Sequence, residues 1–379
     1  MIKAVLTNEI LKTITVIERN RYKDSAVKLS KSVANKLRKN SKKKSSFASN
    51  KIEGNPLSEK QVDEVIESDE RKHFLKPEQE VRNYFLALNY LEERGKKKEK
   101  FSKELILNVQ KYVEKGAAKE KIGLRGPMPP GVLFAVYDSE SGKPDYIPPE
   151  YCDIPALLDE LVEYVNTTDD HPLIVAAVVH YQLVTIHPFE DGNGRTARLL
   201  SGYILDINGF GFNGIGSLEE YFAYDIEEYY ESLQMRLPAL YYSGRDNPPH
   251  PEIWINYFLR MVLLYSNKIC EISERTSGEE IRGSLSYLKG KEKELLVFLL
   301  KNYKREFTPI EVSRAIGVTN KTVINRLSIL VKNGFVEPHL VNERIRNYEL
   351  SDFARRNEEE IKKRCCGRFL RRHVTDDRK

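Results

Sequence analysis

The chain has few of the features that mark secreted, membrane-spanning or zinc-stapled proteins. It holds four cysteines in 379 residues: Cys152, Cys270, Cys365 and Cys366. None has metal-ligand spacing, and the adjacent pair Cys365 and Cys366 forms no zinc pattern. Long apolar runs are missing too. The longest, near residues 172–186, is interrupted by His180 and Gln182 and is too short to span a bilayer. Met1 to Asn20 carries Lys3, Glu9, Lys12, Glu18 and Arg19, so it does not read as a secretory signal. A large excess of one sign of charge is lacking. Charged residues make up 31% of the chain, yet the net charge is +5, a mild basic bias that is no nucleic-acid-coating composition. No internal repeat is present. A cytoplasmic protein is expected, with no structural metal and no membrane partner. At 40% hydrophobic it can bury a substantial core, and its length suits two or three domains.

What the chain does have is concentrated in one run, His187-Pro188-Phe189-Glu190-Asp191-Gly192-Asn193-Gly194-Arg195-Thr196-Ala197-Arg198. Upstream, Val175, Val178, Val179, Leu183 and Ile186 recur at three- and four-residue spacing. A buried helix from Pro172 is therefore expected to end near His187, closed by Pro188. Leu199, Leu200, Ile204 and Leu205 resume helical spacing downstream. The run is thus a loop whose glycines stand just ahead of a helix N-terminus. Such a terminus exposes unpaired N–H groups and the positive end of the dipole, which suits phosphate. Gly192 and Gly194 lack Cβ and let the backbone approach an anion closely. Asp191 can give one oxygen to Mg2+, with phosphate oxygens and waters completing the shell. Arg195 and Arg198 share one helix face, and guanidinium forks match phosphate oxygens. His187 is the one group of the run that titrates near neutrality, so it is the candidate general base.

This run resembles the signature of the Fic family, His-Pro-Phe-x-Asp/Glu-Gly-Asn-Gly-Arg-x-x-Arg, at every fixed position. Fic enzymes typically transfer AMP from ATP to a protein hydroxyl and release pyrophosphate. The resemblance implies that His187 deprotonates the target hydroxyl and Asp191 holds Mg2+. It assigns Asn193 and the backbone of Gly192 and Gly194 to the α- and β-phosphates, Arg195 to the β-phosphate region and Arg198 to the γ-phosphate. Phe189 would anchor the loop in the core.

Three further stretches resemble parts of the same family. Ser49-Asn50-Lys51-Ile52-Glu53-Gly54 is similar to its inhibitory motif, Ser/Thr-x-x-x-Glu-Gly/Asn. Ser49 and Glu53 share a helix face, and Gly54 with Pro56 suits a C-terminal stop. The likeness implies a carboxylate that pairs with Arg198 and blocks the γ-phosphate position. Leu124-Arg125-Gly126 opens a segment rich in Pro127, Pro129, Pro130 and Gly131. A strand Val132-Leu133-Phe134-Ala135-Val136-Tyr137 is expected next, then a turn over Asp138 to Lys143 and Tyr146-Ile147-Pro148-Pro149. This resembles the Fic flap, a hairpin that docks the target by strand addition, with Val132, Leu133 and Phe134 as docking residues. Leu124 stands where the family form has tyrosine. Ser217 to Tyr221 and Glu228 to Leu233 resemble the helix closing the adenine side, which makes Tyr221 and Tyr229 candidates for stacking on the base.

The rest of the chain supplies organisation. Residues 1–44 look helical and end in the basic stretch Lys36 to Lys44, expected to be a solvated helix face or loop. Ser58 and Gln61 form a capping box, as do Thr308 and Glu311. A helix from Glu292 to Tyr303 is followed by one ending at Ile316, a turn at Gly317 and a helix capped by Thr319. Phe335-Val336 and Asn347 to Leu350 read as short strands around a loop holding Arg344 and Arg346. These elements resemble a winged helix-turn-helix, in which Thr319, Asn320, Lys321, Thr322, Asn325 and Arg326 would face a DNA groove.

The expected fold is mainly α: residues 1–85 a helical region with the inhibitory motif, 86–280 a Fic core with a β-hairpin flap, 281–355 a winged helix-turn-helix and 356–379 a basic tail. The expected function is autoinhibited transfer of AMP from ATP, with Mg2+, to a Ser, Thr or Tyr hydroxyl of a protein, the chain itself included. Removal of AMP at the same site, or nucleotide-sensing DNA binding, are the alternatives. DNA and a second copy of the chain are possible partners.

Overall fold

The structure is a computed structural model that describes residues 2–27, 29–68, 73–117, 122–132, 134–137, 144–238, 248–341 and 344–366. The chain divides into two compact units: Met1–Arg21 with Asn35–Ile269, and Tyr22–Ala34 with Cys270–Lys379. Helices α1 (Asn8–Ala26), α2 (Lys31–Ile52) and α11 (Pro251–Ser286) contribute residues to both.

The first unit is built around α7 (Pro172–Ile186) and α8 (Asn193–Ile207). His171 caps α7 by accepting from the Leu173 N–H, and Pro172 starts it where no N–H is needed. Ten aliphatic residues alternate with little else along it, and nearly every side chain is buried, as expected for a helix that is apolar all round. Around this pair lie α3 (Glu59–Glu67), α4 (Lys76–Lys96), α5 (Lys103–Glu114), α6 (Ile154–Thr167), α9 (Glu219–Phe222), α10 (Ile226–Gln234) and the first part of α11. Trp254 of α11 is fully buried and donates its indole N–H to the Ala177 carbonyl at 2.8 Å.

Two expectations change here. The strand expected over 132–137 shrinks to β1 (Val136–Tyr137), paired antiparallel with β2 (Pro144–Tyr146). Pro129 and Pro130 lack N–H donors, Gly131 takes φ +78°, and the Val132 N–H closes a turn onto the Pro129 carbonyl. Among the described residues the ladder begins only at Val136, after this turn. Leu133 and the expected turn over 138–143 lie outside the described residues. The basic stretch Lys36 to Lys44 is a solvated helix face only in part: Lys36, Lys39 and Lys44 are exposed, while Lys42 and Lys43 are drawn in. Lys42 pairs with Glu92 of α4, Lys43 with Asp63 and Glu67 of α3 at 3.2 and 2.8 Å, and Lys44 with Glu220 of α9 at 2.9 Å.

In the second unit, α12 (Gly290–Asn302), α13 (Pro309–Ile316) and α14 (Asn320–Lys332) enclose Leu295, Leu296, Leu299, Val312, Val323 and Leu327. The Thr308–Glu311 capping box starts α13, Gly317 at φ +69° turns the chain, and Thr319 caps α14. β3 (Val336–Val341) and β4 (Arg344–Leu350) form an antiparallel hairpin, followed by α15 (Asp352–Arg356) and α16 (Glu358–Cys366). The strands run longer than the sequence suggests, so positions 344 and 346 belong to β4 and not to a loop.

Candidate active site

The run 187–198 lies between α7 and α8, where the fold bends it around its own backbone. His187 caps α7 in the left-handed region at φ +49°, a conformation that costs a side-chain-bearing residue and persists only where surroundings enforce it. The enforcement comes from both sides. Its N–H still donates to Leu183, and its carbonyl accepts from Arg125 Nε at 2.8 Å. The Arg125 N–H donates to the Pro188 carbonyl, Nη2 reaches the Pro149 carbonyl, and Leu124 bridges to Phe189. Arg125 therefore ties the opening of the flap segment to the loop, a role its sequence position alone did not reveal. Its guanidinium also lies 4.7 Å from the Phe134 ring centre, and that ring is 5.9 Å from the His187 ring.

The state of the imidazole follows from its partner. Nδ1 of His187 lies 3.2 Å from the Val184 carbonyl, which can only accept, so the proton sits on Nδ1 and Nε2 is bare. Burial pulls the pKa down to about 4 against a countervailing backbone hydrogen bond, and the Arg125 charge adds to the pull. At neutral pH the ring is an unprotonated base.

The loop's other end forms an anion cradle. Gly192 caps α8 at φ +80°, and a Cβ there would press on Glu114 and Val113. Arg195 is buried and pairs with Glu114 at 2.9 Å and Asp191 at 3.2 Å. Its Nε and Nη1 have no hydrogen-bond partner among the described residues, which leaves two buried cationic donors to be satisfied. Asn193 departs from the expected role. Its side chain accepts from the Phe189 N–H at 3.0 Å and donates to the Phe189 carbonyl at 2.8 Å. It fastens the loop around the buried Phe189, so what position 193 can offer phosphate is its backbone N–H. Among the described residues no group of three or more His, Cys, Asp or Glu could hold a metal alone. A divalent ion beside Asp191 would draw its remaining ligands from phosphate and water, the usual habit of Mg2+.

A carboxylate already sits in the cradle. Glu53 follows the end of α2, where Gly54 turns the chain at φ +78°. Its Oε1 accepts from Arg198 Nη2 at 2.6 Å, and a Cβ built on Gly194 would collide with that same oxygen. Arg198 is 2% exposed and also donates from Nε to the Ser49 hydroxyl and from Nη2 to the Ser49 carbonyl, at 2.8 and 3.0 Å. Ser49 and Glu53 are thus brought together with Gly194 and Arg198, across a separation of 145 residues between Glu53 and Arg198.

Of the two candidates for base stacking, Tyr229 is not at an open face. Tyr229 is 1% exposed, enclosed by His180, Phe222, Trp254 and Tyr257, and its hydroxyl lies 3.3 Å from Arg198 Nη1. It backs the arginine instead of offering a ring to a ligand. Tyr221 is half-buried, with its ring 6.3 Å from that of Tyr265. Tyr230, which the sequence did not single out, reaches the Ile52 carbonyl at the end of α2. On the flap side, Val132 is half exposed and Phe134 half-buried. They line a shallow cleft with Arg125, Met128, Ile147 and Pro148.

Residues 100–205 match the Fic/DOC family. The protein adenylyltransferase Fic of Nematostella vectensis is 45% identical over 69 residues, 17% of this chain and 16% of that protein. The protein adenylyltransferase fic-1 of Caenorhabditis elegans is 45% identical over 67 residues, 17% of this chain and 13% of that one. The matched stretch thus spans less than a fifth of these relatives. Among solved structures, a Fic family protein from Desulfovibrio desulfuricans G20 aligns with a TM-score of 0.59 at 19% identity, over 93% of this chain and 98% of its own. Fic-1 from C. elegans aligns with a TM-score of 0.53 at 24% identity, over 70% of this chain and 71% of its own. At such identities the likeness is one of fold.

Proposed function

We propose that this chain is a protein adenylyltransferase that holds itself off through Glu53. The observation that carries the proposal is the Glu53 carboxylate seated between Gly194 and Arg198, in an anion cradle beside a neutral histidine whose Nε2 is bare. A carboxylate in that place stands in for a terminal phosphate oxygen.

With Glu53 withdrawn, the triphosphate of ATP would lie along the N-terminus of α8, its charge met by backbone N–H groups, the free donors of Arg195 and the guanidinium of Arg198. His187 Nε2 takes the proton of a Ser, Thr or Tyr hydroxyl on the target protein, the chain itself included. The hydroxyl oxygen bonds to the α-phosphorus as the bond from that phosphorus to the bridging oxygen breaks, and pyrophosphate leaves. Mg2+ held by Asp191 would neutralise phosphate charge. Such catalysis consists of positioning, anion stabilisation and one proton transfer. Val132 and Phe134 would line the approach of the target. Among the described residues no helix is long and apolar enough to cross a membrane, and the reaction is proposed to run in the cytoplasm.

The test uses ATP labelled on the α-phosphate, with Mg2+ and a cell lysate. Label should enter protein with Glu53→Gly and not with Glu53→Gly/His187→Ala, while wild type stays at least about tenfold below Glu53→Gly, the cost of displacing one charge-assisted pair. Equal labelling of wild type and Glu53→Gly would sink the inhibitory role. Loss of AMP from a modified protein that depends on Glu53 would replace transfer by hydrolysis.

We further infer that the second unit is a winged helix-turn-helix that reads duplex DNA. Helix α14 carries Lys321, Arg326 and Lys332 and no carboxylate, and none of these cations has an ion pair among the described residues. Its buried side is Val323, Leu327 and Leu330, which leaves Asn320, Lys321, Asn325 and Ser328 exposed.

A further inference from the structure

The Arg198 guanidinium is the start of a closed ring of hydrogen bonds whose direction is fixed by chemistry. A guanidinium only donates, so Nη1 donates to the Tyr229 hydroxyl oxygen at 3.3 Å. That hydroxyl is buried and carries one hydrogen. Its only acceptor among the described residues is His180 Nε2, 2.9 Å away. A buried hydroxyl hydrogen without an acceptor is costly, so Tyr229 donates and Nε2 is bare. The His180 proton then sits on Nδ1 and is given to the Ser201 oxygen at 3.3 Å. Ser201 passes its own hydrogen to the backbone carbonyl of Arg198 at 3.0 Å. The ring leaves the head of Arg198 and returns to its main chain. It requires neutral His180, which is fully buried among Phe222, Trp254 and Phe258. That burial, with the nearby Arg198 charge, holds the imidazole well below its ordinary pKa.

Arg198 therefore has two sets of partners. Ser49 and Glu53 stand at the end of α2, the segment proposed to withdraw. Tyr229, His180 and Ser201 stand on α10, α7 and α8 and remain. Without them, a released arginine would swing freely and lose side-chain entropy again on meeting an anion. We propose that His180, Tyr229 and Ser201 are positioning residues that keep Arg198 aimed at the terminal phosphate once Glu53 withdraws. They thereby set a preference for nucleoside triphosphate over diphosphate. This rests on the nucleotide-binding proposal above.

The experiment is calorimetric titration of the Glu53→Gly protein with ATP and with ADP, both with Mg2+, adding Tyr229→Phe or Ser201→Ala in turn. Each variant removes one oxygen from the ring and leaves the surrounding apolar packing in place. ATP affinity should fall about tenfold in Tyr229→Phe and less in Ser201→Ala, with ADP affinity held within about twofold. Arg198→Ala should erase the difference between the nucleotides. Parallel losses for ATP and ADP would reduce the ring to a structural role, and no loss in either variant would overturn it equally. If the Glu53→Gly parent binds neither nucleotide, the nucleotide-binding proposal itself fails and this inference falls with it.

Discussion

His187 combines two settings that make a base available over a wide pH range. Its tautomer is fixed by the Val184 carbonyl, and its pKa is drawn from 6.5 to about 4, first by burial and then by the Arg125 charge. Glu53 and Asp191 push the other way. When Glu53 leaves, the incoming triphosphate restores negative charge near the ring. In the Glu53→Gly protein, transfer at saturating ATP should therefore hold its plateau through pH 6 and lose it only as pH approaches about 4. An acid limb centred on 6.5 would show that the imidazole is not the base or is not buried during turnover. The same shift acts on stability. The unfolded chain takes up this proton below 6.5 and the folded chain only near 4, so the contribution is complete above 6.5 and is lost as pH falls between those values. The local geometry of this loop is legible in the sequence. A glycine at positive φ, a histidine ending an apolar helix and an arginine pair on one face need no distant partner to be recognised. Tyr229 was not legible, because facing a ligand or backing Arg198 depends on partners dozens of residues away. Asn193 was misjudged for the opposite reason: its partner Phe189 is so close that the loop consumes its amide.

Helix α2 shows how an element can be recognised in type and misread in environment. Its helical pattern and the stop at Gly54 are local and were expected. The fate of its lysines was not, because Glu92, Asp63, Glu67 and Glu220 lie on α4, α3 and α9. Its buried side chains are Ser41, Lys43, Ser45, Ser46, Ala48, Ser49, Asn50 and Ile52, so little apolar area seals it to the core. Ser41 donates to the Gly216 carbonyl, and Ser45 to Glu219, which also accepts from Tyr84. A helix held by hydrogen bonds and part-exposed ion pairs is held weakly enough to let go, and salt should loosen it. The Debye length shrinks from about 10 Å at 0.1 M to about 3 Å at 1 M. Across that range the ratio of wild-type to Glu53→Gly transfer should rise at least about threefold, as several pairs of modest strength are screened together. Taking the ratio cancels any effect of salt on ATP binding. A flat ratio would mean that α2 is fixed by packing and that release needs a different trigger. The flap is the element where the sequence pattern held only in part: a hairpin stands where one is expected, but the turn set by the prolines and Gly131 precedes a first strand confined to Val136–Tyr137.

At the scale of the whole molecule, one chain carries two units with separate cores and different charge habits. In the first, the cations of the site face carboxylates: Arg195 meets Glu114 and Asp191, and Arg198 meets Glu53. In the second, α14 presents cations and amides with no carboxylate of its own. Neutral pairing near the candidate site, and a helix face whose cations have no ion pair among the described residues, are suited to different ligands. Duplex DNA is the polyanion a capped, exposed helix of this length can enter through the major groove. The full-length protein should therefore bind a labelled random-sequence duplex with Kd on the order of 10⁻⁵ M at physiological salt, weakening steeply as salt rises. Lys321→Glu and Arg326→Glu should each weaken binding and lower the salt slope by about 1, the signature of a lost phosphate contact. Asn325→Ala should leave that slope intact and act only on sequence preference, because an amide reads base edges and not phosphate charge. The controls come from the other unit: Glu53→Gly and His187→Ala should leave DNA affinity unchanged, since neither touches α14. No binding, or binding indifferent to Lys321→Glu and Arg326→Glu, would remove DNA as the ligand of α14. Its exposed Ile324 and Ile329 would then point to a protein surface. Binding that vanished in Glu53→Gly would instead tie the second unit to the state of the nucleotide site, as a regulator that senses nucleotide requires.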